Sequence, residues 1–193
     1  MGNPKHMDFA GLDFIVDNIR VGASAPGETG TLVESDALAV LSSRQMVIPI
    51  CGNAKVGATA GWVITGGTNI CHATLPASQT NSTLVVPITG VNIGDTVTDV
   101  SVDGQVESAG GNVTLVMSVR KITTAAAAIV DAEIGTDNVG TLTADTVISS
   151  SNLAVTGLSE VLAAGETLYV LLTGTTAAST DIDLTGLIVT VTR

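Results

Sequence analysis

The residues of this 193-residue chain with the widest chemical reach are two cysteines, two histidines and 18 carboxylates. Cys71 and His72 are neighbours, and a thiol beside an imidazole is the composition of a nucleophile and its base. Adjacent residues on a strand point to opposite faces, so the two cannot share a hydrogen bond and no catalytic role is expected of them. His72 reads instead as a strand residue at a sheet edge or a subunit contact. Cys51 and Cys71 are too few for a disulfide framework. They read first as two small buried apolar side chains, second as a single disulfide, and third as metal ligands. With His6 and His72 they could nominally supply four zinc ligands, yet the spacing matches no zinc module.

Asp95, Asp99 and Asp103 recur every four residues, and Asp181 and Asp183 lie two apart. On a strand the second pair shares one face, where two oxygens could approach a hard cation. There is no EF-hand loop, so solvated turn carboxylates are the expectation, and no metal or cofactor is assigned. Gly66-Gly67 and Gly110-Gly111 precede no helical pattern and therefore lack the amide array that binds phosphate. No Gly-x-Ser-x-Gly occurs. The chain reads as a structural or binding protein and not as an enzyme.

The aromatic side chains are Phe9, Phe14, Trp62 and Tyr169. Sugar-binding platforms stack their ligand on several exposed rings, so Trp62 alone reads as core or interface. Tyr169 is expected on the face opposite Leu168, Val170 and Leu172.

Seven basic residues against 18 acidic ones give a net charge of -11, without a block of Lys or Arg that could neutralise a row of phosphates. Nucleic acid and an anionic membrane surface are therefore excluded as expected partners. No apolar run reaches the roughly 18 to 20 residues of a spanning helix, and Met1 to Met7 opens no signal-peptide pattern.

Positioning of these residues falls to strands. Val113, Leu115, Met117 and Val119 alternate with Thr114, Ser118 and Arg120, with Val116 interrupting the polar face, and Leu187, Val189 and Val191 alternate with Thr190 and Thr192, so each set marks a half-buried strand. Further strands are expected over 46–50, 62–65, 70–75, 83–88, 96–106, 129–134, 141–149, 153–162 and 167–175. Glu107 to Asn112 and Thr176 to Asp181 carry turn residues between strands and predict two long hairpins. Ala125 to Ala128 is helix-friendly but too short to nucleate a helix. The fold class is all-β, an antiparallel two-sheet sandwich of jelly-roll kind with an N-terminal arm. Residues 1–55 form the arm, with a brief helix over 37–41, and residues 56–193 form the sandwich.

In the arm, Phe9, Leu12, Val16 and Ile19 fall on one face of a short helix, while Phe14-Ile15-Val16 also reads as a strand. Burial of each apolar side chain contributes about 1.5 to 3 kcal/mol, against about 1 to 2 kcal/mol lost for every residue ordered. The arm thus needs a partner, and Phe9, Leu12, Phe14, Val16 and Ile19 are its expected partner-binding residues. The strands carry few Lys or Pro guards on their edges, which predicts a small cyclic homo-oligomer.

The stretches Ala73 to Thr80, Leu84 to Gly90, Ile93 to Val97, Gly104 to Gly110 and Thr180 to Leu184 resemble the β-sandwich virion proteins of tailed phages. That resemblance covers about two thirds of the chain. It implies a capsid decoration or cement protein on the virion surface, a homotrimer that binds the major capsid protein and stabilises the assembled shell. Similar sandwiches in tail fibres and baseplates make a module that binds host-surface glycan or protein the alternative.

Overall fold

In the computed structural model, residues 43–66, 71–107, 113–138, 142–143 and 146–193 are described. Phe9, Leu12, Phe14, Val16, Ile19 and the helix expected over 37–41 lie outside them.

Two antiparallel sheets face each other. The smaller has the order β2 (Lys55–Val56), β5 (Ser82–Ile88), β12 (Glu166–Thr175), β7 (Thr114–Ala125) and β8 (Ala128–Asn138). The larger runs β3 (Val63–Gly66), β4 (Cys71–Leu75), β13 (Asp181–Thr192), β6 (Thr96–Glu107) and β10 (Ala154–Val155). In that sheet β1 (Arg44–Pro49) also pairs with β13, and β9 (Val147–Ile148) and β11 (Glu160–Val161) with β6. The strand over Arg44–Pro49, which the sequence assigns to the segment 1–55, is thus a member of the larger sheet. Among the described residues there is no helix, and hence none long and apolar enough to cross a membrane.

Period-two alternation builds the core as expected: Val113, Leu115, Met117, Val119, Leu187, Val189 and Val191 are all buried. Trp62 is buried among them and donates its indole N–H to the Ser82 carbonyl at 3.0 Å. Lys121 of β7 ties the two sheets at one end, 2.6 Å from Glu160 of β11 and 3.2 Å from Glu166 of β12. These two carboxylates, Glu160 first, raise the Lys121 pKa above the ordinary lysine value.

The two expected hairpins are corrected. β6 and β7 belong to different sheets, and so do β12 and β13. Glycine and small polar residues reverse the chain equally well within a sheet or across a sandwich. Which of the two forms depends on whether the apolar faces of the flanking strands lie side by side or face to face. A true hairpin joins β7 to β8 through a two-residue turn at Ala126-Ala127, with Ala125 opposite Ala128. Residues 124–133 are exposed throughout, so this hairpin projects beyond the packed layers.

Candidate functional site

On one flank of β13 lies β6 along its whole length. On the other, two strands lie end to end: β4 opposite Ile182–Leu184 and β1 opposite Gly186–Val191. The residue between these stretches, Thr185, is the extra residue of a β-bulge, since Leu184 pairs with Gly104 and Gly186 with the adjacent Asp103. Its carbonyl accepts the Ile50 N–H at 3.1 Å, and its hydroxyl donates to the Asp103 carbonyl at 3.2 Å. A bulge re-aims side chains locally, and here it restores inward pointing of Leu187, Val189 and Val191 after Ile182 and Leu184.

Where β1 ends and β4 begins, Cys51 and Cys71 form a disulfide with Cα atoms 5.5 Å apart. The first reading of the cysteines, two buried free side chains, is thereby overturned. Cys71 is exposed at the sheet surface, where burial offers no reason for a cysteine and the bridge does. With its sulfur in a disulfide, Cys71 supplies no thiolate.

His72 points to the outer face of the larger sheet, with Nε2 3.5 Å from Asp183 Oδ1. The Thr74 hydroxyl donates to the same oxygen. His72 Nδ1 is buried and without a hydrogen-bond partner among the described residues. The expectation of an edge position fails, because β3 pairs outside β4 and places Thr65 opposite His72. Asp181 and Asp183 do share one face, but Asp183 is engaged by Thr74 and His72, and no cluster of three metal-ligating side chains occurs among the described residues.

A groove of about 730 Å³ opens on this face. Its floor is β6, with Asp103, Gln105 and Glu107. One wall holds His72, Asp183 and Thr185, and the other Val147 and Ile148 of β9 with Ser149 beside them. Gly104 permits the close strand approach beneath it, for a Cβ there would run into the Asp183 carbonyl and stand 2.8 Å from Leu184. Gln105 donates to Glu107 at 3.1 Å. Three carboxylates, an amide, two hydroxyls and an imidazole thus line one open hollow, with His72 the only lining residue that can become cationic. Such a wall accepts hydrogen bonds from hydroxyl groups and repels polyanions.

Two other polar clusters among the described residues are internally satisfied. Asp95 of the expected aspartate series is buried. Its carboxylate accepts from the Asn92 backbone N–H at 3.0 Å and from Arg44 at 2.7 Å. Those bonds, the backbone one foremost, hold its pKa below the ordinary value against the effect of burial. On the outer face of the smaller sheet, Arg120 Nε donates to Asp131 at 3.1 Å and to the Tyr169 hydroxyl at 3.0 Å, and that hydroxyl donates to Asp131 at 2.9 Å. Tyr169 is thus on the face opposite Leu168, Val170 and Leu172, as expected.

Fold and groove define an antiparallel β-sandwich with an open hollow on one sheet, lined by polar side chains and by Val147 and Ile148. No family model matches this chain, and no curated protein does. Among solved structures, it is similar to the CBM36-1 domain of a multidomain xylanase from the hindgut metagenome of Trinervitermes trinervoides. The identity is 7%, over 76% of this chain and 96% of that one, with a TM-score of 0.44. It is also similar to the CBM22-2 xylan-binding domain of Paenibacillus barcinonensis Xyn10C, 13% identical over 74% of this chain and 97% of that one, TM-score 0.47. A third likeness, to the bacteriophage CBA120 tailspike protein 4, has 12% identity over 75% of this chain and 19% of that one, TM-score 0.34. No score among these reaches 0.5, and neither ligand nor partner passes from them to this chain.

Proposed function

We propose that the sandwich is a non-catalytic module that binds a neutral carbohydrate in the groove over β6 and β13. The observation that carries this reading is the lining. Asp103, Glu107 and Asp183 accept hydrogen bonds, Gln105, Thr185 and Ser149 both donate and accept, and all face one open hollow. Sugar hydroxyls are matched by such a surface, whereas phosphate-bearing polymers are repelled by it. The disulfide supports exposure to an oxidising exterior, as on a virion or cell surface. Calorimetric titration with a panel of neutral oligosaccharides tests the reading. Binding is expected to weaken about tenfold, a loss of about 1.4 kcal/mol, in each of Asp103→Ala and Gln105→Ala, with melting temperatures unchanged. Absence of binding to every neutral sugar, or binding indifferent to both substitutions, refutes it.

A second reading, the capsid decoration protein that the sequence resemblance implies, is favoured by the projecting β7–β8 hairpin. Its tip carries four consecutive alanines and then Ile129 and Val130, 73% and 51% exposed. An uncharged tip over residues 124–130 on so acidic a chain suits burial against a sister subunit or a major capsid protein. In this reading Phe9, Leu12, Phe14, Val16 and Ile19 are further partner-binding residues. Undecorated particles incubated with full-length protein, with protein lacking residues 1–30, and with Ile129→Lys test this reading. Both altered proteins should bind fewer copies and leave particles that open at lower temperature. Equal occupancy by all three removes it.

A further inference from the structure

A second hollow, of about 420 Å³, lies on the same outer face of the larger sheet. It is lined by Asp99 and Ser101 of β6, Ile188 and Thr190 of β13, Gln45 of β1 and Ser150. The two hollows are set along the same pair of strands. On β6, residues 99 and 101 line the second and 103, 105 and 107 the first; on β13, residues 190 and 188 line the second and 185 and 183 the first. The turn between β9 and β10 stands beside both, giving Ser149 to one and Ser150 to the other.

From this alignment we infer that the two hollows are subsites of one trough, which takes a linear, extended polysaccharide along its interior and not at a chain end. The inference rests on the carbohydrate reading above and names the shape of its ligand. From Asp99 to Glu107 is eight residues of strand, which at about 3.3 Å each is about 26 Å, a length for several sugar units in a row. Strand pairing makes the floor continuous. β6 and β13 stay adjacent over the whole distance, and their neighbours β1 and β4 on one flank, β9 and β10 on the other, lie end to end, so the face is continued beyond each strand end. The lining keeps one character throughout. Asp99, Ser101, Gln45 and Thr190 repeat the acceptors and mixed donors of the first hollow, and no Lys or Arg lines either. A polymer of neutral, hydroxyl-bearing units therefore meets equivalent partners at both ends of the trough.

The test uses the full chain and neutral xylo-, cello- and manno-oligosaccharides from the dimer to the octamer, titrated calorimetrically. For the series that binds, affinity should rise with length by about tenfold, the worth of one or two added hydrogen bonds, and then level off once both hollows are filled. Ser150→Trp, in an exposed turn, should obstruct the second hollow and reduce the affinity of the long oligomers to that of the short ones. Binding of the short ones should not change. Gln45→Ala, on the exposed face of β1, should produce the same pattern more weakly. Affinity independent of length, or equal loss for short and long oligomers in both variants, overturns the single trough while leaving the carbohydrate reading intact. Failure of every oligomer to bind removes that reading and the trough with it.

Discussion

Reduction of the Cys51–Cys71 bridge should destabilise the sandwich by an amount that its loop length sets. The bond joins residues 20 apart. In the chain-entropy treatment a closed loop of that size lowers the entropy of the unfolded chain by an amount equivalent to about 3 kcal/mol. The loop is also anchored in the folded protein, by β2 against β5 and by Trp62 in the core. Those anchors do not diminish the effect, because they are absent from the unfolded ensemble on which the bridge acts. Little packing is lost, since Cys71 is exposed. For a folded unit spanning Arg44–Arg193, each kcal/mol corresponds to about 2 to 4 °C, so the melting temperature should fall by about 6 to 12 °C. Circular dichroism melts of the oxidised protein, the reduced protein, and the double variant Cys51→Ser with Cys71→Ser measure this. The last two should agree, and thiol titration of unfolded, unreduced protein should find no free thiol. Two free thiols there, or a melt unmoved by verified reduction, would show that the bridge or its entropic role is misassigned.

Asp95→Ala should cost about 2 kcal/mol, because it leaves the Asn92 N–H without its acceptor and Arg44 with the Gly90 carbonyl but no carboxylate; the urea midpoint reads this out. The Asp95 carboxyl is held below its ordinary value in the fold, so its contribution is complete above the unfolded value of about 3.9 and is lost as pH falls through the folded one. The parent should thus lose stability below about pH 4 more steeply than the variant. Gly174 lies where a Cβ would come 2.5 Å from Leu75 and 3.3 Å from Trp62. Gly174→Val should therefore destabilise by about 1 to 3 kcal/mol through overpacking, visible as a lower melting temperature and disturbed tryptophan fluorescence.

Local pattern carried the strands and failed at the connections. Val113, Leu115, Met117 and Val119 fall at every second residue and are all buried, while Val116 interrupts the opposite face and is half-buried. On β13 the same rhythm breaks between Leu184 and Leu187, and Gly186 sits at the break, which is the composition of a bulge. By contrast, nothing within Glu107 to Asn112 states whether the next strand joins the same sheet, because that choice is made by apolar faces dozens of residues away. Ala126-Ala127 turns a hairpin without glycine, asparagine or proline, so the turn left no local signal. The groove was hidden for a similar reason. His72 and Asp183 meet only because Thr74 pairs with Asp183 in register. One clue was available: Ser101, Asp103, Gln105 and Glu107 alternate with Val100, Val102 and Val106 on β6, a polar face with hydrogen-bonding groups at every second residue. Reading the aspartates by their spacing of four obscured it. The bridge was visible in part, since Cys51 follows one expected strand and Cys71 lies near the start of another, but only the end-to-end placement of β1 and β4 along β13 brings them together.

Because the two sheets bury chiefly their inner faces, stability and the proposed recognition occupy opposite sides of the same strands. On β6, Val100, Val102 and Val106 support the core while Asp103, Gln105 and Glu107 line the groove. The outer residues are therefore free to vary in chemistry at little cost to the fold, as surface substitutions usually are. The coupling between the two sides is confined to a few backbone features. Gly104 has no room for a side chain, and Thr185 with its bulge sets the facing of both Asp183 and Leu187. A substitution at Gly104 would press on the Asp183 carbonyl and shift the carboxylate that His72 and Thr74 hold, disturbing groove and core together. Mutations that lower ligand affinity without lowering stability should thus map to outward side chains, whereas those that lower both should gather at Gly104 and the bulge.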